Sequence, residues 1–96
     1  MIAVIFRATM LKVDDEYFQT AARLRDLAKA KYGCIEFTSC SEGDDEIAIS
    51  YWHSEAQIQH WKNDPVHKAA QQKGREKWYK SYSVEICEIK QGYKGQ

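Results

Sequence analysis

The chain has 96 residues, the length of one domain, and at that size only roughly 60–65% of the unfolded surface is buried, so a partner subunit often completes the core. Its 14 basic and 14 acidic residues cancel, which leaves no cationic excess to displace counterions from a nucleic-acid backbone. The longest apolar run, Ile2 to Phe6, is far too short to span a bilayer, and Met1 enters it without the basic segment or small-residue cleavage site of a secretory signal.

Three cysteines, Cys34, Cys40 and Cys87, are odd in number and lack C-x-x-C spacing. They read as reduced, buried or half-buried thiols of a cytoplasmic protein.

Ile2 to Thr9 is β-rich and almost continuously apolar, the pattern of a central strand covered on both faces. Arg7 interrupts it. Either it lies near the strand end and snorkels to water, the simpler reading, or it offers a ligand for an anion or carbonyl at a pocket mouth. Asp14 or Asp15 then caps a helix, with Glu16 in its first turn. Tyr17, Ala21, Leu24 and Ala28, broadened by Phe18 and Leu27, form its apolar stripe, and Gly33 is the expected left-handed residue after its end.

Cys34 to Ser41 and Glu46 to Trp52 both alternate, around the polar turn Ser41 to Asp45. Two alternating runs about a short Gly turn make a hairpin. The turn's acids do not fit the D-x-D-x-D-G calcium loop and read as solvated. Ser54 and Gln57 form a capping box for a helix carrying Ile58 and Trp61. Asn63-Asp64-Pro65 resets that helix, Asp64 as a new cap and Pro65 as its first residue. The second segment carries Val66, Ala70, Gly74 and Trp78 at four-residue steps, with small residues that permit close approach to a sheet. Tyr82 to Lys90 is the last strand, and Gln91 to Gln96 a fraying polar tail.

The order β-α-β-β-α-β predicts an α+β, ferredoxin-like fold, with a four-stranded antiparallel sheet and both helices on one face. The other face carries apolar side chains from every strand and has no cover. A second copy packed sheet to sheet, a two-fold homodimer, is the economical solution.

His53, His60 and His67 recur every seven residues. His53 precedes a cap and Pro65 separates the other two, so they do not make one metal-binding helix face, and no metal site is expected. The set that can do chemistry is Gln57, Trp61 and His67. Gln57 and Trp61 share a helix face, and His67 opens the segment that folds back over them. An amide, an indole N–H and an imidazole can orient a flat oxygenated ring. A helix N-terminus disfavours a cationic His67, and a neutral imidazole can accept a phenolic proton. The competing reading is structural: Trp61 as core, His67 as a surface or capping residue, Gln57 as cap only.

The opening M-I-A-V-I-F, the helix Y-F-Q-T-A-A-R-L-R, the strand A-I-S-Y-W and the run W-K-N-D-P-V-H-K-A-A-Q-Q-K-G-R together resemble the antibiotic biosynthesis monooxygenase domain, a family of dimeric α+β barrels. The resemblance covers nearly the whole chain. It implies a homodimer and a small-molecule site, with activities that range over cofactor-independent oxidation of anthrones and quinols, haem degradation and uncharacterised functions. The Asn, Trp and Tyr of anthrone oxygenases fall on Gln57, Trp61 and His67, so the Trp is kept and the other two differ. The axial His of haem degraders falls on Gln71 and their first-strand Asn near Arg7, which argues against haem degradation. The resemblance therefore implies a cofactor-free monooxygenase of a small electron-rich aromatic, with Trp61, His67 and Gln57 catalytic and Arg7, Tyr51 and Gln71 binding substrate. The alternatives are a non-enzymatic small-molecule-binding or stress-response dimer and a cofactor-free isomerase.

Overall fold

The computed structural model describes residues 1–96. Its elements are β1 (Ile2–Met10), α1 (Asp15–Lys31), β2 (Glu36–Glu42), β3 (Asp45–Trp52), α2 (Glu55–Lys62), α3 (Pro65–Lys73), a π-helical turn (Gly74–Trp78) and β4 (Tyr79–Glu88). The strands form one antiparallel sheet in the order β2-β3-β1-β4, the α+β, ferredoxin-like arrangement expected. No helix is long and apolar enough to cross a membrane.

Local chemistry sets the element ends. Asp14 caps α1, its carboxylate accepting the Tyr17 N–H at 2.9 Å, and Gly33 leaves the helix at φ +82°, a conformation that costs a side-chain-bearing residue. Ser54 caps α2 by accepting the Gln57 N–H at 3.3 Å, and Gln57 Oε1 reaches back to accept the His53 N–H at 3.0 Å. Asp64 caps α3, accepting the Val66 N–H at 2.8 Å with Pro65 as the first helical residue. Its other oxygen accepts the Tyr32 hydroxyl at 2.5 Å, tying the α2–α3 joint to the end of α1.

Even-numbered residues of β1 and β3 face the helices. Two buried clusters lie there. Val4, Ala28, Cys34, Trp52, Ile58 and Trp61 form one, and Ala8, Met10, Tyr17 and Trp78 the other. The opposite face bears Ile5, Ile47, Ile49 and Tyr51, with Ile5 paired to Ile49 and Ala3 to Tyr51. The isoleucines of the hairpin thus lie away from the helices, and the small set Ala48, Ser50 faces them.

Two expectations need correction. The last strand begins at Tyr79 and ends at Glu88, earlier than Tyr82 to Lys90. The cause is the π turn, in which the Tyr79 N–H bonds the Gly74 carbonyl and the helix passes directly into strand. A β-carbon at Gly74 would overlap the edge of the Tyr79 ring, so glycine is what lets that ring close over the turn. The cysteines are all free, but Cys40 lies exposed on the edge strand β2. Cys34 is buried, and burial pushes its thiol pKa up.

Candidate functional site

A cavity of about 280 Å³ lies between the helix-facing side of the sheet and the helices. Three cross-strand rows form its floor. Phe37, Ser50, Val4 and Ile86 make the first, Ser39, Ala48, Phe6 and Val84 the second, and Glu46, Ala8 and Tyr82 the third. Ala48 and Ser50 explain why space exists: small residues at the centre of β3 leave the volume that larger ones would fill. Along β3 the first and third rows are about 13 Å apart at roughly 3.3 Å per residue.

The first-row end is walled by Trp61 and His67. Their rings meet edge to face with centroids 4.3 Å apart, and Trp61 packs likewise on Phe37 at 5.9 Å. Both are buried, 7% and 9% exposed, and neither Trp61 Nε1 nor His67 Nδ1 has a hydrogen-bond partner. Such groups cost free energy unless something binds them. Burial, aided by the charge of Lys62, holds the His67 imidazole down to a pKa of about 4, so it is neutral at physiological pH. Gln71 follows His67 by one helical turn and also lines the cavity, as do Arg25 and Lys62. The Arg25 guanidinium sits 5.9 Å over the Phe37 ring.

The third-row end is aromatic and acidic. The Tyr17 hydroxyl donates a short bond to Glu46 Oε2. Burial and this carboxylate raise the Tyr17 pKa well above the ordinary phenol value, and burial with the Glu46 charge lifts Tyr79 to about 12. Burial is the larger cause in both phenols, with Glu46 second for each. Tyr79 and Tyr82 are three residues apart yet both line the cavity. An irregularity in the β1–β4 register, where Thr9 pairs with Ser81 and Met10 with Tyr79, leaves Lys80 as the extra residue. It turns Tyr79 back to the helix side, as bulges do when they re-aim a side chain. Trp78, 1% exposed, closes this end with its Nε1 unpartnered.

Of the residues singled out from sequence, the fold brings Trp61, His67 and Gln71 together in the cavity. It does not bring the other three. Gln57 is held by its bond to His53, against Gly33. Arg7 and Tyr51 occupy odd positions on the opposite sheet face; Arg7 is exposed mid-strand beside Thr9, Asp45 and Ser83, rather than at a strand end. Strand parity separates them from the cavity, since a residue displaced by one position changes face. Sequence reasoning missed Glu46, Tyr17, Tyr79, Arg25 and Lys62. The parity of Glu46 with Ala48 and Ser50 was the available signal for the first. No cluster of three or more His, Cys, Asp or Glu side chains is placed to hold a metal ion.

The comparisons agree with this architecture. The family model for antibiotic biosynthesis monooxygenase matches residues 1–73. The protein YqjZ of Bacillus subtilis (strain 168) is 39% identical over 88 residues, covering 91% of this chain and 77% of that protein. Among solved structures, SnoaB, a cofactor-independent oxygenase from Streptomyces nogalater, superposes with a TM-score of 0.79 at 14% identity over 95% of this chain and 94% of its own. A conserved protein from Methanosarcina mazei Go1 gives a TM-score of 0.79 at 17% identity, over 93% and 92%. The family match and the Bacillus relative together make this chain a member of the antibiotic biosynthesis monooxygenase family.

Proposed function

We propose that the protein is a cytoplasmic, homodimeric, cofactor-independent monooxygenase that oxidises a small electron-rich aromatic, such as a quinol or anthrone, with O₂. The observation that carries the reading is the edge-to-face Trp61–His67 pair, buried and unpartnered in a largely apolar cavity. The similarity in fold to SnoaB, a cofactor-independent oxygenase, supports it at the level of architecture.

In this reading the substrate ring lies against Trp61, whose indole N–H donates to a substrate oxygen. Neutral His67 accepts the substrate's acidic proton, and the resulting anion is rich enough in electrons to react with O₂. For an anthrone, a ring CH₂ and O₂ become a ring C=O and water. One oxygen atom enters the carbonyl and the other leaves as water, and the substrate supplies all the electrons, so no external reductant is consumed. The apolar side chains around Trp61 lower the local polarity at the anion. Gln71, one turn beyond His67, is placed to orient the substrate. The face bearing Ile5, Ile47 and Ile49 joins the two subunits.

Oxygen uptake with naphthoquinol-type substrates tests this. Trp61→Phe and His67→Ala should each lower the rate, the latter by about a hundredfold or more as expected for removal of a general base. Uptake unchanged in both variants would refute the assignment.

A further inference from the structure

The cavity has charge of opposite sign at its two ends, and none of it is neutralised by the protein. The ion pairs of the molecule join only Asp14 and Glu16 to Lys73 and Lys77. Arg25 and Lys62 line the cavity without a carboxylate partner, and Arg25 Nε is buried with no hydrogen bond. Both belong to the first-row end, Arg25 over Phe37 and Lys62 near enough to His67 for its charge to disfavour the imidazolium. At the third-row end Glu46 has no cation within ion-pair distance. Its side-chain bond is the one from the Tyr17 hydroxyl. A cation left without an anion in a partly buried wall is a site for an acidic group. A carboxylate beside aromatic rings is a site for a hydrogen-bond donor.

We propose that the cavity takes its aromatic ligand in one orientation, with an acidic substituent held between Arg25 and Lys62 and a hydroxyl or amino substituent donating to Glu46. The substrate class this selects is an aromatic acid carrying a donor group at its far end. The proposal rests on the reading that a small aromatic occupies the cavity, but not on what happens to it there.

Binding is measured by calorimetry under nitrogen, where no oxidation occurs. The probes share one naphthalene frame: 6-hydroxy-2-naphthoate, its methyl ester, 2-naphthoate and 2-naphthol. For the unaltered protein, the hydroxy acid should bind best, and esterification should weaken it about tenfold, the worth of a charge-assisted hydrogen bond. Arg25→Gln and Lys62→Gln should weaken both acids and leave 2-naphthol unchanged. Glu46→Gln should weaken the free hydroxyl compounds and leave 2-naphthoate unchanged. An ester that binds as well as its acid would overturn the proposal without any variant being made, as would variants that weaken all four probes equally. The oxygen-uptake result is separate: charge-selective binding without turnover removes the oxygenase reading alone, and turnover without charge selectivity removes this one alone.

Discussion

His67 should make the folded protein sensitive to mild acid. A free imidazole titrates near 6.5 and this one, buried beside Lys62, near 4. Between those values the unfolded chain binds a proton that the folded chain refuses. The stability contributed by the neutral ring is therefore complete above pH 6.5, declines as pH falls and is gone at about 4. At roughly 1.4 kcal/mol per pH unit the loss approaches about 3 kcal/mol, a large share of the roughly 5–15 kcal/mol that holds a domain folded. The carboxylates of Asp14, Glu16 and Asp64 act in the same direction. Their pKa values are depressed below ordinary values of 3.8, 4.5 and 3.8 by hydrogen bonds from Lys77, Lys73 and Tyr32 respectively, so their contributions fade only in stronger acid. The upper part of the window belongs to His67. Guanidinium unfolding followed by circular dichroism, at fixed protein concentration, should show the unaltered protein losing stability from pH 6.5 downwards. His67→Phe, which keeps a ring against Trp61, should stay nearly level over the same range. Equal slopes for the two proteins, or an imidazole titration by NMR centred at the ordinary value of 6.5 or above, would refute the reasoning.

Two further outcomes follow from geometry. Gly74→Ala places a methyl against the Tyr79 ring and should cost about 1–3 kcal/mol, seen as a fall in Tm of roughly 4–8 °C per kcal/mol; an unchanged Tm would mean that the π turn yields freely. Ile49→Glu puts a charge beside Ile5 at the centre of the uncovered sheet face and should convert a dimer to a monomer in sedimentation equilibrium. A mass unaffected by the change would show that the subunits do not meet there.

The fold was legible because its signals were local and mutually consistent. Asp14, Ser54 and Asp64 each cap the helix expected of them, and Gly33 takes the left-handed conformation assigned to it. The site was legible only in part. Trp61 and His67 lie in separate helices, and each could be placed from its own local start signal, the Ser54 cap for one and the Asp64–Pro65 reset for the other. Arg7 and Tyr51 depended on which face of a strand looks at the helices, and alternation alone gives two equivalent answers. Hydrophobicity does not mark the helix-facing one. The bulkier apolar residues Ile47, Ile49 and Tyr51 lie on the face without helices, and the face that holds the cavity carries Glu46, Ala48 and Ser50. Tyr79 was illegible for another reason: the extra residue at Lys80 reverses strand parity, and no composition signal marks it.

The low basicity of His67 and the cations around it belong together. A phenol near 10 and an imidazole near 4 differ enough that proton transfer between them would cost roughly 8 kcal/mol, too much for an efficient general base working alone. Lys62 is among the causes of that low value, through repulsion of the imidazolium. The same charge, with that of Arg25, favours the ionised form of the acidic substituent proposed to lie between them. Once an anion lies there it offsets the repulsion from Lys62, and the imidazole pKa rises by linkage. The gap therefore narrows on binding from the imidazole side. On the proposed reading, the empty cavity keeps His67 neutral and the occupied cavity lowers the cost of its accepting a proton. Removing Lys62 takes that repulsion away before any ligand binds, so Lys62→Gln should raise the imidazole titration of the empty protein above about 4, read by NMR, and shrink its further rise on binding an aromatic acid; an imidazole that titrates unchanged in the variant would sink the linkage.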